Sequence, residues 1–346
     1  MITQFVRIIA GPRGSLVSRK LISTLLLALF FSFVPVAVPS PSAPAVAQTT
    51  SDPVIAAAGD ISCATTSSGY NDGEGTATKC QQKATSDLLV GEDLAAVLPL
   101  GDIQYKLGEE SQFAAVYDPT WGRVKSISRP VPGDHEYRTA GATGYYNYFG
   151  AAAGDPATGY YSFDIGSWHL IALNSVCAIV DCSAGSAQEQ WLKADLAAHP
   201  NDCTLAYMHS PRWSSAEGGS SISVAPLIRA LYAGNADVVL AGHSHVYERF
   251  APQNPSGVLD TDRGLREFVV GSGGASHGNW KTIRANSEMR NNDTFGVLKL
   301  TLHATSYDWQ FDSAAGGTFT DEGSDECNGP PPGQLTSTPT DDASVE

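Results

Sequence analysis

Four blocks of this 346-residue chain place acids and histidines directly after apolar runs. Asp60 ends VIAAAGD, Asp102 ends AAVLPLGD, His209 closes CTLAYMH, and His243 with His245 closes ADVVLAGHSH. A fifth block, VPGDHEYR, sets Asp134 and His135 behind Gly133 in a turn. Taken singly, each has an ordinary explanation, since an Asp after a strand often caps a helix and a His often satisfies a carbonyl. Their recurrence at one kind of position instead describes loops that converge with carboxylate and imidazole donors. A carboxylate can bridge two cations through its two oxygens, so the chemistry this pattern supports is two-metal hydrolysis. Gly101 and Gly242 give the backbone room to turn beside these residues. Rival catalytic templates are not met: GHSHV lacks the closing glycine of a G-x-S-x-G elbow, and the chain has no P-loop and no H-E-x-x-H.

The elements that must carry these residues are legible from periodicity. Short apolar runs at 54–60, 95–102, 168–175, 203–210, 236–245 and 266–274 read as buried strands that run into loops. Cys80 to Leu89, Ala187 to His199 and Val224 to Tyr232 carry apolar residues at three- and four-residue spacing and read as helices. The alternation predicts an α/β domain with mostly interior strands, in which ligands bind beyond the carboxyl ends of the strands. The stretch 297–311 alternates more cleanly and suits longer antiparallel strands.

The chain begins with a basic lead, the apolar run LISTLLLALFFSFVPVAV and then Ala45-Val46-Ala47, the small-x-small form of a signal-peptidase site. Residues 1–47 are read as a cleaved secretory signal, with an uncleaved anchor helix as the rival and a twin-arginine signal as a weaker alternative. Loss of Arg7, Arg13, Arg19 and Lys20 takes the net charge from −15 to −19, which argues against nucleic-acid binding and anionic-membrane adhesion. Six cysteines in an exported chain predict disulfides. The most local pairing joins Cys63 to Cys80 and Cys177 to Cys182, leaving Cys203 for Cys327. One domain is expected over 48–327, with 328–346 a disordered Pro/Thr/Ser/Asp tail and no stable membrane span after cleavage.

The ordered set GD (59–60), GDIQY (101–105), GDHE (133–136), AYMH (206–209) and GHSH (242–245) resembles the calcineurin-like metallophosphoesterases, and within them the purple acid phosphatases. Ser62 stands where most relatives have a ligand histidine, and Tyr105 stands where the purple enzymes have a ligand tyrosine. The resemblance implies a four-layer αββα sandwich of two mixed β-sheets with a dinuclear metal site at the strand C-terminal ends. It implies that Asp60, Asp102, Tyr105 and His245 hold a first metal, Fe(III). Asp102 would bridge to a second, divalent metal (Fe, Zn or Mn) also held by Asp134, His209 and His243. It further implies that a metal-bound hydroxide attacks a phosphate monoester, with His135 stabilising the transferring group or protonating the leaving oxygen. The accessory domain of large plant members is not seen, so a monomer is expected.

The family normally has Asn where this chain has Asp134. Asp adds a full charge to a site already rich in anions. At an effective dielectric of about 20, one unit charge about 4 Å from a phosphate charge costs roughly 4 kcal/mol before screening. Asp134 is therefore expected to hold the divalent ion more tightly and to move the working pH above that of an ordinary acid phosphatase. Two alternatives stay open: a phosphodiesterase acting on nucleotides or lipid head groups, and a non-catalytic metal- or phosphate-binding exported protein. Arg212 is read equally as a phosphate ligand or as packing, and Glu248 with Arg249 as a structural ion pair. His169, His199, His277 and His303 are assigned to core or surface, with His277 able to border the pocket. The aromatic stretch Tyr145, Tyr146, Tyr148 and Phe149 is expected to pack beneath the site, with the lining of a substrate rim as the alternative.

Overall fold

The computed structural model describes residues 51–201 and 203–330. The expected export segment 1–47 and the stretch 331–346 lie outside the described residues. Strands β1 (Val54–Ala58), β2 (Ala96–Pro99), β3 (Tyr161–Ile165), β4 (Trp168–Ala172), β5 (Cys203–Tyr207) and β6 (Val238–Ala241) precede β7 (Tyr247–Phe250), β8 (Arg266–Val270), β9 (Ser287–Asn291), β10 (Gly296–Leu302), β11 (Ser306–Ser313) and β12 (Glu322–Glu326). The helices are α1 (Gln82–Asp87), α2 (Glu110–Gln112), α3 (Thr143–Phe149), α4 (Ala187–Ala198) and α5 (Ala225–Ala233). Helix α4 starts where it does because the Ser186 side chain accepts from Glu189 N at 3.3 Å, a cap for an otherwise orphaned donor.

Two mixed sheets result. The first has the order β12-β11-β10-β1-β2, and the second β3-β4-β5-β6-β8-β7-β9. Among the named strands, parallel pairing joins β1 with β2 and the run β4-β5-β6-β8. Side-chain alternation decides what each strand of the second sheet faces. Leu205, Tyr207, Leu240 and Phe268 join the first sheet's Leu98, Leu300 and Phe311 in one core. Their neighbours Ala206, Met208, Val239 and Val269 pack on the opposite side against Leu192, Leu196, Leu227 and Leu231 of α4 and α5. The first core continues to Phe113, Tyr117, Trp121, Tyr145 and Phe149, the layer of short helices. The arrangement is the four-layer αββα sandwich.

Three disulfides close, Cys63–Cys80, Cys177–Cys182 and Cys203–Cys327, the local pairing. The last of these ties Cys327 to β5, and packing against the domain continues slightly past residue 327. Asn235 Nδ2 donates to the carbonyls of Asn328 and Gly329 at 3.0 and 2.7 Å. Glu248 and Arg249 do not pair with each other. Glu248 accepts from Ser215 N at 2.8 Å, while Arg249 pairs with Glu288 and Asp321. Adjacent residues of a strand point to opposite faces, which separates them.

On the outer edge, buried His169 of β4 lies opposite Asp164 of β3 and bridges it to α4. Its Nδ1 is 2.7 Å from Asp164 and its Nε2 2.9 Å from Asp195, and the His199 ring stacks on it at 4.3 Å. Burial acts to lower the His169 pKa, but hydrogen bonds to Asp195 and Asp164 outweigh it and raise the value above 6.5. Burial raises the Asp195 carboxyl, yet His169 and Ser162 bring it below 3.8. The folded state thus holds the imidazole proton more tightly than the unfolded chain does. That contribution is complete below pH 6.5 and lost as pH rises through the folded value, while the Asp195 contribution is lost as pH falls below 3.8. His169→Gln should therefore lower the melting temperature most at about pH 5.5, with a gap that narrows toward about pH 9. A gap independent of pH in thermal melts would show the network to be uncharged packing.

Candidate metal centre

The parallel strands of both sheets end at one edge, and the loops beyond their carboxyl ends build the site. Asp60 and Asp102 lie just past β1 and β2 of the first sheet, and His209, His243 and His245 just past β5 and β6 of the second. The two sheets are tied there by Gly59 N donating to Val270 O at 2.8 Å. The backbone is left-handed at four non-glycine site residues: Asp60 (φ 59), Asp102 (φ 48), His243 (φ 70) and His245 (φ 47). Non-glycine residues rarely adopt that region, and its cost is met where the surroundings over-determine the conformation. It also explains the two histidines. Residues i and i+2 of a strand share a side, whereas here the turn sends His243 and His245 to different partners.

A first group surrounds the Tyr105 hydroxyl, which lies 2.7 Å from Asp60 Oδ1, 3.0 Å from Asp102 Oδ2 and 2.9 Å from His245 Nε2. A second group surrounds His209. Its Nε2 is 3.2 Å from His243 Nδ1, 3.4 Å from Asp102 Oδ1 and 3.5 Å from Asp134 Oδ1. Asp102 thus turns one oxygen to each group. Asp102, Asp134, His209 and His243 bring four ligand atoms within 4.8 Å of one another. Asp134 is the rim member: its side chain is 44% exposed, with Arg138 at 3.6 Å. The His135 ring borders the first group, 4.3 Å from that of Tyr105 and with its Nε2 3.9 Å from Asp102 Oδ2, while its backbone N donates to Asp102 Oδ1 at 2.9 Å.

The imidazoles are pre-aimed. His209 Nδ1 faces the Leu100 carbonyl at 2.9 Å, His245 Nδ1 faces the Ser276 carbonyl at 3.1 Å, and His135 Nδ1 faces the Lys106 carbonyl at 2.8 Å. A carbonyl only accepts, so each Nδ1 carries a hydrogen and each Nε2 is the nitrogen turned to the site, a ligand atom once a metal displaces any proton there. Glycine is required where the loops touch: a Cβ on Gly101 would lie 2.6 Å from the His209 ring and one on Gly133 would lie 2.3 Å from Asp102 Oδ1.

The electrostatics are those of a cation site. Burial acts to lower the His209 pKa, but Asp102, Asp134 and Asp60 push it up to about 10. His209 and His243 hold the Asp134 carboxyl well below the usual range. Burial raises the Asp60 carboxyl, and His245, with His209 and Tyr105, more than reverses this. Burial, then Asp102 and Asp60, keep the proton on Tyr105 far above a phenol's usual range. Three carboxylates and three facing imidazoles with nitrogen lone pairs fit metal ions better than protons. His169, Asp195 and His199 form a second ligand-capable group among the described residues, but both His169 nitrogens already face carboxylates at hydrogen-bond distance.

Glu136 is the residue that the sequence motif contained without revealing its task. Fully buried, it accepts from Asp102 N (2.9 Å), Ile103 N (2.9 Å), Gln104 N (3.1 Å) and Gly133 N (2.8 Å), and so clamps two site loops together. Burial first, then Asp102, pushes its carboxyl up to about 7 against those hydrogen bonds. Glu267, buried in β8, holds the loop after His209 in the same way, accepting from Arg212 N and Trp213 N at 2.7 and 2.9 Å. A glutamate inside a short apolar strand was the available signal. Arg212 itself stacks on Trp213 and lines a cavity of about 570 Å³ that shares no residue with the one beside His135. His277 stacks on Phe295 at 3.9 Å.

The family described as calcineurin-like phosphoesterase matches residues 54–247. Purple acid phosphatase 22 of Arabidopsis thaliana is 34% identical over 125 residues, covering 32% of this chain and 28% of that protein. Probable purple acid phosphatase 20 of the same plant is 30% identical over 182 residues, covering 45% and 40%. The chain thus spans less than half the length of these relatives. A purple acid phosphatase from yellow lupin (Lupinus luteus) seeds superposes with a TM-score of 0.65 at 19% identity, over 80% of this chain and 54% of that one, a likeness of fold. The converging loops and the matched stretch, which runs from β1 to the start of β7, agree: this chain belongs to the calcineurin-like phosphoesterase family.

Proposed function

We propose that this protein is an exported, metal-dependent phosphatase that hydrolyses phosphate monoesters. The observation that carries the reading is Asp102, which offers one oxygen to each of two adjacent donor groups. Asp60, Asp102, Tyr105 and His245 would hold one cation, and Asp102, Asp134, His209 and His243 the other. Bound there, the two ions supply Lewis-acid charge to the phosphoryl group and an activated water. His135 Nε2, which lies beside the first group at 3.9 Å from Asp102 Oδ2, is turned away from the Lys106 carbonyl held by Nδ1 and can deliver a proton to the leaving oxygen once protonated. A ferric ion in the first position is favoured by Tyr105, whose tightly held proton only a strongly acidic cation displaces. Export is supported by three disulfides and by the apolar leader. Among the described residues no helix is long and apolar enough to cross a membrane.

The purified chain should release phosphate from an aryl monoester, lose that activity to a chelator, and turn over the matched diester more slowly. A visible tyrosinate-to-iron charge-transfer band should accompany two metals per chain. Asp134→Asn should bind the divalent ion more weakly and work at lower pH. Two bound metals without turnover of either ester would refute the reading.

A further inference from the structure

We propose that the cavity beside His135 is a subsite for a second anionic group, so that the preferred substrates are sugar or polyol phosphates carrying two phosphates. The inference rests on the phosphatase reading above and names its substrate class. The cavity measures about 490 Å³ and opens onto Tyr105, His135 and His245, a size suited to a small molecule. Its wall is the disulfide-closed segment between Cys63 and Cys80, fixed to the site by the pairing of Lys79 with Ser276, the residue that faces His245 Nδ1.

Charge makes the case. The chain has 36 acidic against 21 basic residues, yet this cavity is lined by Lys79 and Lys106 and by no Asp or Glu. Neither ammonium group has an ion-pair or hydrogen-bond partner among the described residues, as is also true of Lys125 and Lys281, whereas Lys83, Lys193 and Lys299 are paired. Both lysines belong to backbone that supports a site histidine: the Lys106 carbonyl faces His135 Nδ1. The rest of the lining is small, with hydroxyls from Thr66, Ser67, Ser68 and Ser276 beside the apolar Cys63, Ala64 and Ala275. Tyr105 is the only aromatic side chain there besides the histidines, so a nucleobase finds no stacking platform. Hydroxyl donors and two unpaired ammonium groups match a polyhydroxylated, doubly anionic ester.

The test compares kcat/KM of the full chain for fructose 1,6-bisphosphate with that for fructose 1-phosphate and fructose 6-phosphate. The bisphosphate should be favoured about tenfold, through KM, the scale of two exposed ion pairs. The preference should vanish in Lys79→Ala/Lys106→Ala, persist in Lys79→Arg/Lys106→Arg, and shrink as salt is added. No preference in the unmodified protein, or one that survives the double alanine change, would overturn the subsite while leaving the phosphatase reading standing. Release from none of the three sugar esters by a protein that hydrolyses the aryl monoester would overturn the subsite alone, whereas a protein that releases phosphate from no monoester would overturn the phosphatase reading and the subsite with it.

Discussion

Asp102→Asn should lower kcat/KM at least about a thousandfold, about 4 kcal/mol of transition-state stabilisation, while leaving the fold intact. The carboxylate is 3% exposed and sits between the two donor groups, Oδ2 toward Tyr105 and Oδ1 toward His209. An amide of the same shape keeps one carbonyl oxygen and turns its NH₂ toward the other group, so it cannot serve both. Oδ1 also accepts from His135 N at 2.9 Å, so the amide keeps that anchor only by placing its oxygen there and its NH₂ toward Tyr105. Metal content should fall by at least one ion per chain, with the melting curve showing a folded protein. Activity within tenfold of the parent would remove Asp102 from the bridging role.

Glu136→Ala should be the most destabilising single change at the site. Four buried backbone donors lose their acceptor together, and each unsatisfied group costs about 1–3 kcal/mol. Water entering the void would satisfy some of them, so a net loss of about 4 kcal/mol or more is expected, against a total stability of about 5–15 kcal/mol. The melting temperature should fall by on the order of 10 °C. Glu136→Gln is the informative partner. Each Glu136 oxygen accepts two N–H groups, and an amide nitrogen in either place would set donor against donor. Gln should thus lose metal and activity with a smaller loss of stability than Ala. A Gln variant that keeps full metal content and activity would mean that the loops hold their positions without the clamp.

The legible part of the fold was its interior. Runs such as VIAAAGD and CTLAYMH read as strands because a strand buried on both faces is apolar throughout, and β1 and β5 formed there. Helices α4 and α5 followed their spacing closely, but α1 is shorter than the stretch 80–89 that suggested it. Strands β9 (SEMRN) and β12 (EGSDE) gave no signal. They sit at sheet edges, half in water, and are held by pairing with β7 and β11, which no local pattern records.

At the site the same division holds. Residue type and order were enough to nominate Asp60, Asp102, Asp134, His135, His209, His243 and His245, because donor chemistry is a property of the side chain and the ends of parallel strands are where an α/β fold gathers its loops, whereas Tyr105 was nominated by the family resemblance. Tertiary structure alone decided their grouping. It turned one oxygen of Asp102 to each set, held four of these residues in left-handed backbone, and aimed the imidazoles with carbonyls from distant loops. It also decided the task of Glu136, whose four partners come from two segments some thirty residues apart. Those features depend on contacts between segments far apart in the chain. A carboxylate in a sequence carries its charge wherever it goes, but the groups it satisfies are set by the fold that brings them to it.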